Sequence, residues 1–159
     1  MIVYHGSYLI VDKPDIGYSK SNLDFGAGFY VTEDKTQAEL WAKRKAIRQK
    51  SKPIVNTYNL TDDLSLYKGL VFADEDVAWL DFVAKCRKGS DLYKKYDYVS
   101  GSVANDDVFL TVDMYLRGIW DSQRALSEIQ YYKTSHQICL ITQHLIDNEL
   151  SFIKSYEVN

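Results

Sequence analysis

Along this chain of 159 residues, apolar positions recur with two periods, and the switches between them mark out strands and helices. Ile2 to His5 reads as a short first strand, ended by Gly6-Ser7. A loop without clear period follows through Lys13-Pro14-Asp15-Ile16-Gly17, and Phe29 to Thr32 reads as a second strand after a glycine turn. Asp34 with Gln37 three residues on is a capping-box pattern, in which each side chain can satisfy a free backbone N–H. The predicted helix carries Ala38, Trp41, Ala42 and Ala46 on one face. Lys43, Arg44, Lys45 and Arg48 fall largely on the other faces. They read either as a solvated surface or as a docking surface for a phosphate-bearing ligand or nucleic acid.

Further on, Pro53 to Leu60 reads as a strand and Asp74 to Arg87 as a helix with Val77, Leu80 and Val83/Ala84 inward. Tyr96 to Val99 is a strand closed by Ser100-Gly101. Val108, Thr111, Val112, Tyr115 and Leu116 recur at spacings of three and four, so a helix is predicted there, ended by Gly118. Asp121 can cap a second short helix carrying Ala125, Leu126 and Ile129. Gln137 to Thr142 is an apolar strand, and Phe152 to Val158 alternates as the last one. The order of elements contains no βαβ repetition, so the expected class is α+β with a largely antiparallel sheet, in one domain over residues 1–159.

Composition narrows the function classes. A net charge of −3 provides no global basic field for nucleic acid or membrane, although a local patch would suffice for the former. Met1 to His5 lacks the features of a signal peptide, and no apolar stretch approaches membrane-spanning length, so a cytoplasmic chain without membrane contact is expected. Cys86 and Cys139 form no CxxC and sit in apolar contexts, as buried free thiols do. The 13 tyrosines against 6 phenylalanines hint at aromatic walls around a polar cavity.

Familiar chemistries are absent from the pattern. Gly26-Ala27-Gly28 is followed by strand-like Phe29-Tyr30-Val31, whereas a Rossmann loop needs a third glycine and a helix there. There is no GK[ST] for a P-loop and no GxSxG for a serine hydrolase. His5, His136 and His144 form no HExxH and have no cysteine pairs beside them, so no metal is expected. Cys139 lies three residues from His136 in a strand, where side chains three apart point to opposite faces.

What is left is a pair of glycine-flanked segments, Tyr4-His5-Gly6-Ser7 and Phe25-Gly26-Ala27-Gly28-Phe29-Tyr30-Val31-Thr32. Glycine lets a planar group approach backbone closely, and the His and Tyr beside it offer a hydrogen-bonding ring and a stacking ring. With the following Gln37-Ala38, these segments resemble the His and Tyr motifs of the ADP-ribosyltransferase superfamily. More narrowly, Asn22-Leu23-Asp24-Phe25-Gly26, Trp41-Ala42, Tyr96-Asp97-Tyr98-Val99, Val103-Ala104-Asn105-Asp106 and a late Gln137 are similar to a small bacterial branch of it.

The resemblance implies a split β-sheet core and NAD as co-substrate. It assigns NAD contacts to His5, Gly6, Ser7, Phe29 and Tyr30, and extends them to Asn105 and Asp106. His5 would bind a ribose hydroxyl, the Gly6 backbone the nicotinamide amide, and Tyr30 the nicotinamide ring. Asn105-Asp106 reads equally well as a helix N-cap. The third motif residue, usually a Glu that binds the 2′-hydroxyl, falls on Gln137, so His5, Tyr30 and Gln137 are the expected catalytic set. Gln accepts the same hydrogen bond but carries no charge and is no base. A missing base lowers rates roughly 10²–10⁴-fold unless another group, such as Asp106, Asp107 or Glu128, replaces it.

The expected function is therefore single-unit, NAD-dependent ADP-ribosyl transfer to a protein or nucleic acid. Superfamily members of this size often act as bacterial toxins, which adds an antitoxin to the expected partners. The alternatives are a catalytically inactive nucleotide-binding or protein-interaction module of the same fold, and an NAD glycohydrolase.

Overall fold

The computed structural model describes residues 1–130 and 134–159, the side chain of Asp106 excepted. Two sheets form its centre. The first is antiparallel throughout, in the order β1 (Ile2–Ser7), β3 (Ile54–Leu60), β7 (Leu150–Glu157). The second runs β2 (Phe29–Val31), β6 (His136–Leu140), β5 (Tyr98–Ser102), β4 (Gly69–Val71), with β4–β5 its parallel pair. Among the described residues a single bridge, between Tyr4 and Thr32, joins the two, so β1 and β2 touch at one point and then part. This bears out a mixed α+β class, largely antiparallel, with flanking helices.

Alternation decides which side chains fill the space between and outside the sheets. Val3, Tyr58 and Leu60 of the first sheet meet Phe29, Val31, Ile138 and Leu140 of the second in one buried cluster. The other face of the second sheet presents Val99 and Cys139 to α2 (Val77–Arg87), α3 (Asp106–Leu116) and α4 (Ser122–Ile129), which contribute Trp79, Leu80, Val83, Val108, Val112 and Ala125. Each large apolar side chain buried this way contributes roughly 1.5–3 kcal/mol. The outer face of the first sheet takes α1 (Lys35–Gln49) through Ala38 and Ala42, side chains small enough for the helix backbone to approach the strand.

Cap chemistry sets the helix starts. Asp34 Oδ1 accepts from Thr36 N at 2.9 Å and Gln37 N at 3.2 Å, whereas the backbone N–H of Asp34 goes to Thr32 Oγ1 at 3.0 Å rather than to Gln37. The first half of the capping box forms; a threonine takes the second. α2 begins three residues later than expected because Asp76 provides the cap, accepting from Trp79 N at 2.9 Å, and this leaves Val77 exposed. Asp121 caps α4 as expected, through Arg124 N at 2.8 Å. β5 runs on through Ser100 and Gly101 because β6 pairs with it that far. One strand and one α-helix were not legible in the pattern: β4 is three residues long with both ends exposed, and α5 (Gln143–Glu149) buries only Leu145 and Ile146.

Candidate functional site

The seam where β1 and β2 part holds a buried histidine. His5 Nδ1 lies 2.7 Å from the Tyr30 carbonyl oxygen, and the ring stacks on Phe29 with centroids 4.3 Å apart. A carbonyl only accepts, so Nδ1 carries the proton and Nε2 keeps its lone pair. That lone pair faces Lys45 Nζ at 3.4 Å, and the same ammonium donates to Gly6 O at 2.7 Å. Burial, and then the Lys45 charge, push the His5 pKa down to about 3 against the opposing pull of the Tyr30 carbonyl, so the ring is neutral at physiological pH. Burial, with Lys20 nearby, lowers Lys45 to about 8.

The basic run on α1 is thus divided. Lys43 and Arg48 are exposed, while Lys45 turns inward to the seam. Its spacing already contained the signal: it stands four residues after Trp41 and three after Ala42, on the apolar face. Tyr4 N and O bond Thr32, so two residues on the Gly6 peptide is turned to the same edge. The side of Gly6 itself is occupied by α1. A Cβ there would stand 2.1 Å from Ala38 O and 2.6 Å from Ala42 N, with Trp41 Cβ at 2.9 Å. Trp41 is half-buried, with its Cβ on this side of Gly6. Ser7 is buried and its hydroxyl accepts from Leu9 N at 3.3 Å, closing the turn after β1.

Tyr30 points to the opposite face of β2 from Phe29 and is half-buried against the helix-side core. Its hydroxyl donates to Gly26 O at 2.7 Å and accepts from Phe25 N at 2.9 Å, bracing the glycine turn that precedes the strand. Burial, with Cys139 and the Asp24 charge, raises its pKa well above the usual phenol value. Both cysteines are free and buried, and burial pushes the Cys86 thiol up to about 12 and Cys139 higher still, so neither is a ready nucleophile.

Gln137 lies on β6 one residue beyond the Val31–Ile138 pair, which sets it beside Thr32 and close to the point where β1 and β2 touch. It is 2% exposed. Its Nε2 donates to Asp24 Oδ2 at 3.0 Å and to Ser102 O at 3.4 Å. Asp24 also accepts Ala104 N at 2.9 Å and Arg87 Nε at 2.9 Å, and Arg87 reaches Ala104 O at 3.2 Å while its guanidinium lies 4.4 Å from the Phe109 ring centre. A cleft of about 360 Å³ opens beside this ion pair, against Phe109, Asp113 and Leu116. Sequence reasoning missed the role of Asp24, which is one acidic residue in a loop until its partners are seen.

Of the carboxylates considered beside Gln137, Glu128 pairs with Arg124 at 3.1 Å on α4 and Asp107 is exposed on the first turn of α3. The role expected of Asp106 rests on a side chain outside the described residues. Asn105 is the N-cap of α3, its Oδ1 accepting from Val108 N at 3.1 Å. Asn105→Ala should therefore lower stability by about 1 kcal/mol and Asn105→Asp by far less, as read by urea unfolding. Equal losses would remove the cap from the account.

A family model described as a protein of unknown function (DUF3990) matches residues 1–152. The chain belongs to this family. The match contains His5, Asp24, Tyr30, Lys45 and Gln137, and all strands but the end of β7. Neither the curated proteins nor the solved structures include a match to this sequence. Among the described residues, no helix of this family member is long and apolar enough to cross a membrane.

Proposed function

We propose that this chain is an NAD-dependent mono-ADP-ribosyltransferase. The observation that carries the reading is the convergence of two acceptors, neutral His5 Nε2 and Gly6 O, on one buried donor where β1 and β2 part. A nicotinamide riboside presents donors of that kind: a carboxamide N–H for Gly6 O and a ribose hydroxyl for His5 Nε2. Lys45, on a flexible stem, yields those acceptors to NAD and is left with the diphosphate as its counter-charge. Tyr30 provides the ring that stacks on the nicotinamide, and Gln137 accepts a hydrogen bond from the 2′-hydroxyl. The bond from ribose C1′ to the nicotinamide nitrogen breaks, and its electron pair leaves with nicotinamide. An acceptor nucleophile then bonds to C1′ and gives its proton to solvent.

Purified protein incubated with labelled NAD and cell extract should release nicotinamide and label a macromolecule. His5→Ala should lower turnover roughly tenfold to a hundredfold, the scale of one or two lost hydrogen bonds. Release without labelling would make the protein an NAD glycohydrolase. Absence of both binding and release would end the proposal. Arrest of growth on expression, relieved by a neighbouring gene, is the expected sign of a toxin with its antitoxin.

A second reading, a nucleotide-binding module without turnover, is favoured by Asp24, the carboxylate that Gln137 contacts, being neutralised by Arg87 at 2.5 Å. Calorimetric NAD binding with no nicotinamide release would select it.

A further inference from the structure

Gln137 faces two groups that can only accept: the Asp24 carboxylate and the Ser102 carbonyl. An amide oxygen placed there would oppose them, so the NH₂ end must take that side and Oε1 the other. Oε1 has no hydrogen-bond partner among the described residues. Asp24 is itself held rigidly: Oδ1 takes Arg87 Nε and Nη2, and Oδ2 takes Ala104 N and Gln137 Nε2. Asp24 and Arg87 are 12% and 11% exposed.

We infer that Asp24 is a positioning residue, which orients the Gln137 amide so that Oε1 is presented to the ribose hydroxyl of NAD. The inference rests on the transferase reading above. In it, Asp24 and Gln137 form a matched acceptor–donor pair. A glutamate in place of Gln137 needs a donor where Asp24 now stands, so Gln137→Glu alone sets two carboxylates about 3 Å apart, and one of them must hold a proton or move. The conventional glutamate is therefore a loss in this chain, not a gain, unless Asp24 changes with it.

The test is a cycle of wild type, Asp24→Asn, Gln137→Glu and the double variant. Melting temperature, NAD affinity by calorimetry and kcat and KM for nicotinamide release are followed from pH 5 to pH 8. Gln137→Glu alone should lose at least tenfold in kcat at pH 8, with the loss shrinking toward pH 5 as the added carboxyl protonates. The double variant should recover at least fivefold and lose that pH dependence, because the introduced asparagine amide can donate to the introduced carboxylate. Side-chain amide exchange read by NMR on the wild type covers the case in which a variant does not fold. The Gln137 NH₂ protons should exchange at least tenfold slower than those of exposed Gln123. Wild-type turnover combined with an additive, pH-flat cycle, or with free exchange at Gln137, overturns the inference and leaves the transferase reading standing. A wild type that neither binds nor cleaves NAD overturns both, even where melting shows the pair coupled.

Discussion

Between pH 6.5 and pH 3 the fold should lose about 1.4 kcal/mol for each pH unit through His5 alone. The pKa of this ring is lowered on folding, from 6.5 to about 3, because burial and the Lys45 ammonium disfavour the imidazolium. Below pH 6.5 the unfolded chain binds a proton at His5 that the folded chain refuses, so protonation pulls toward unfolding. The contribution is fully present above pH 6.5 and is lost as pH falls, reaching roughly 5 kcal/mol near pH 3. That is comparable to the whole stability of an ordinary domain. His5→Gln retains a donor for the Tyr30 carbonyl and removes the titration. Urea unfolding of both proteins from pH 7.5 to pH 4 isolates the effect, since the carboxylates titrate alike in each. Parallel curves would mean that the imidazolium is tolerated in the seam, and the neutral acceptor at Nε2 would go with it.

The second large effect is expected at Gly6. A methyl group there meets the backbone of α1, with Ala38 O at 2.1 Å and Ala42 N at 2.6 Å, and neither can rotate away as a side chain could. Gly6→Ala should lower stability by about 3 kcal/mol or more, or about 6–12 °C in melting temperature. Gly118→Ala provides the scale, because Gly118 has a φ of +71° and open space around it. Its loss is conformational only, about 1–2 kcal/mol. Equal losses at the two positions would show that α1 gives way, and that its seating against β1 is not what requires glycine. Since α1 also brings Lys45 to the seam, on the proposed transferase reading Gly6→Ala should weaken NAD binding as well as stability.

The two glycines show how far local reading reaches. The sequence ended the first strand at Gly6-Ser7, and the structure carries it through both, because they pair with Val55 and Ile54 of β3. The sequence assigned the open side of that glycine to a ligand, and the structure fills it with the backbone of α1 at Ala38 and Ala42. Nothing within a few residues of Gly6 distinguishes a glycine vacated for a ring from one vacated for a backbone. Lys45 is an intermediate case: grouped with the basic residues of the other faces, it stands at the spacing of the apolar face, and a carbonyl and an imidazole lie within its reach. Asp24 was illegible, because its partners come from residue 87, residue 104 and residue 137.

By itself, then, the sequence determined the α+β class, the caps at Asp34 and Asp121, the buried thiols and the residues that line up along β1, β2 and β6. Those follow from periodicity and from side chains bonding to backbone two or three residues away. Only the tertiary structure decided that β1 and β2 touch once and part, that Lys45 enters the gap, and that Asp24 turns Gln137. These depend on groups far apart in the chain being desolvated together, where burial makes a single donor or charge count, and no local pattern records which distant partner will be there.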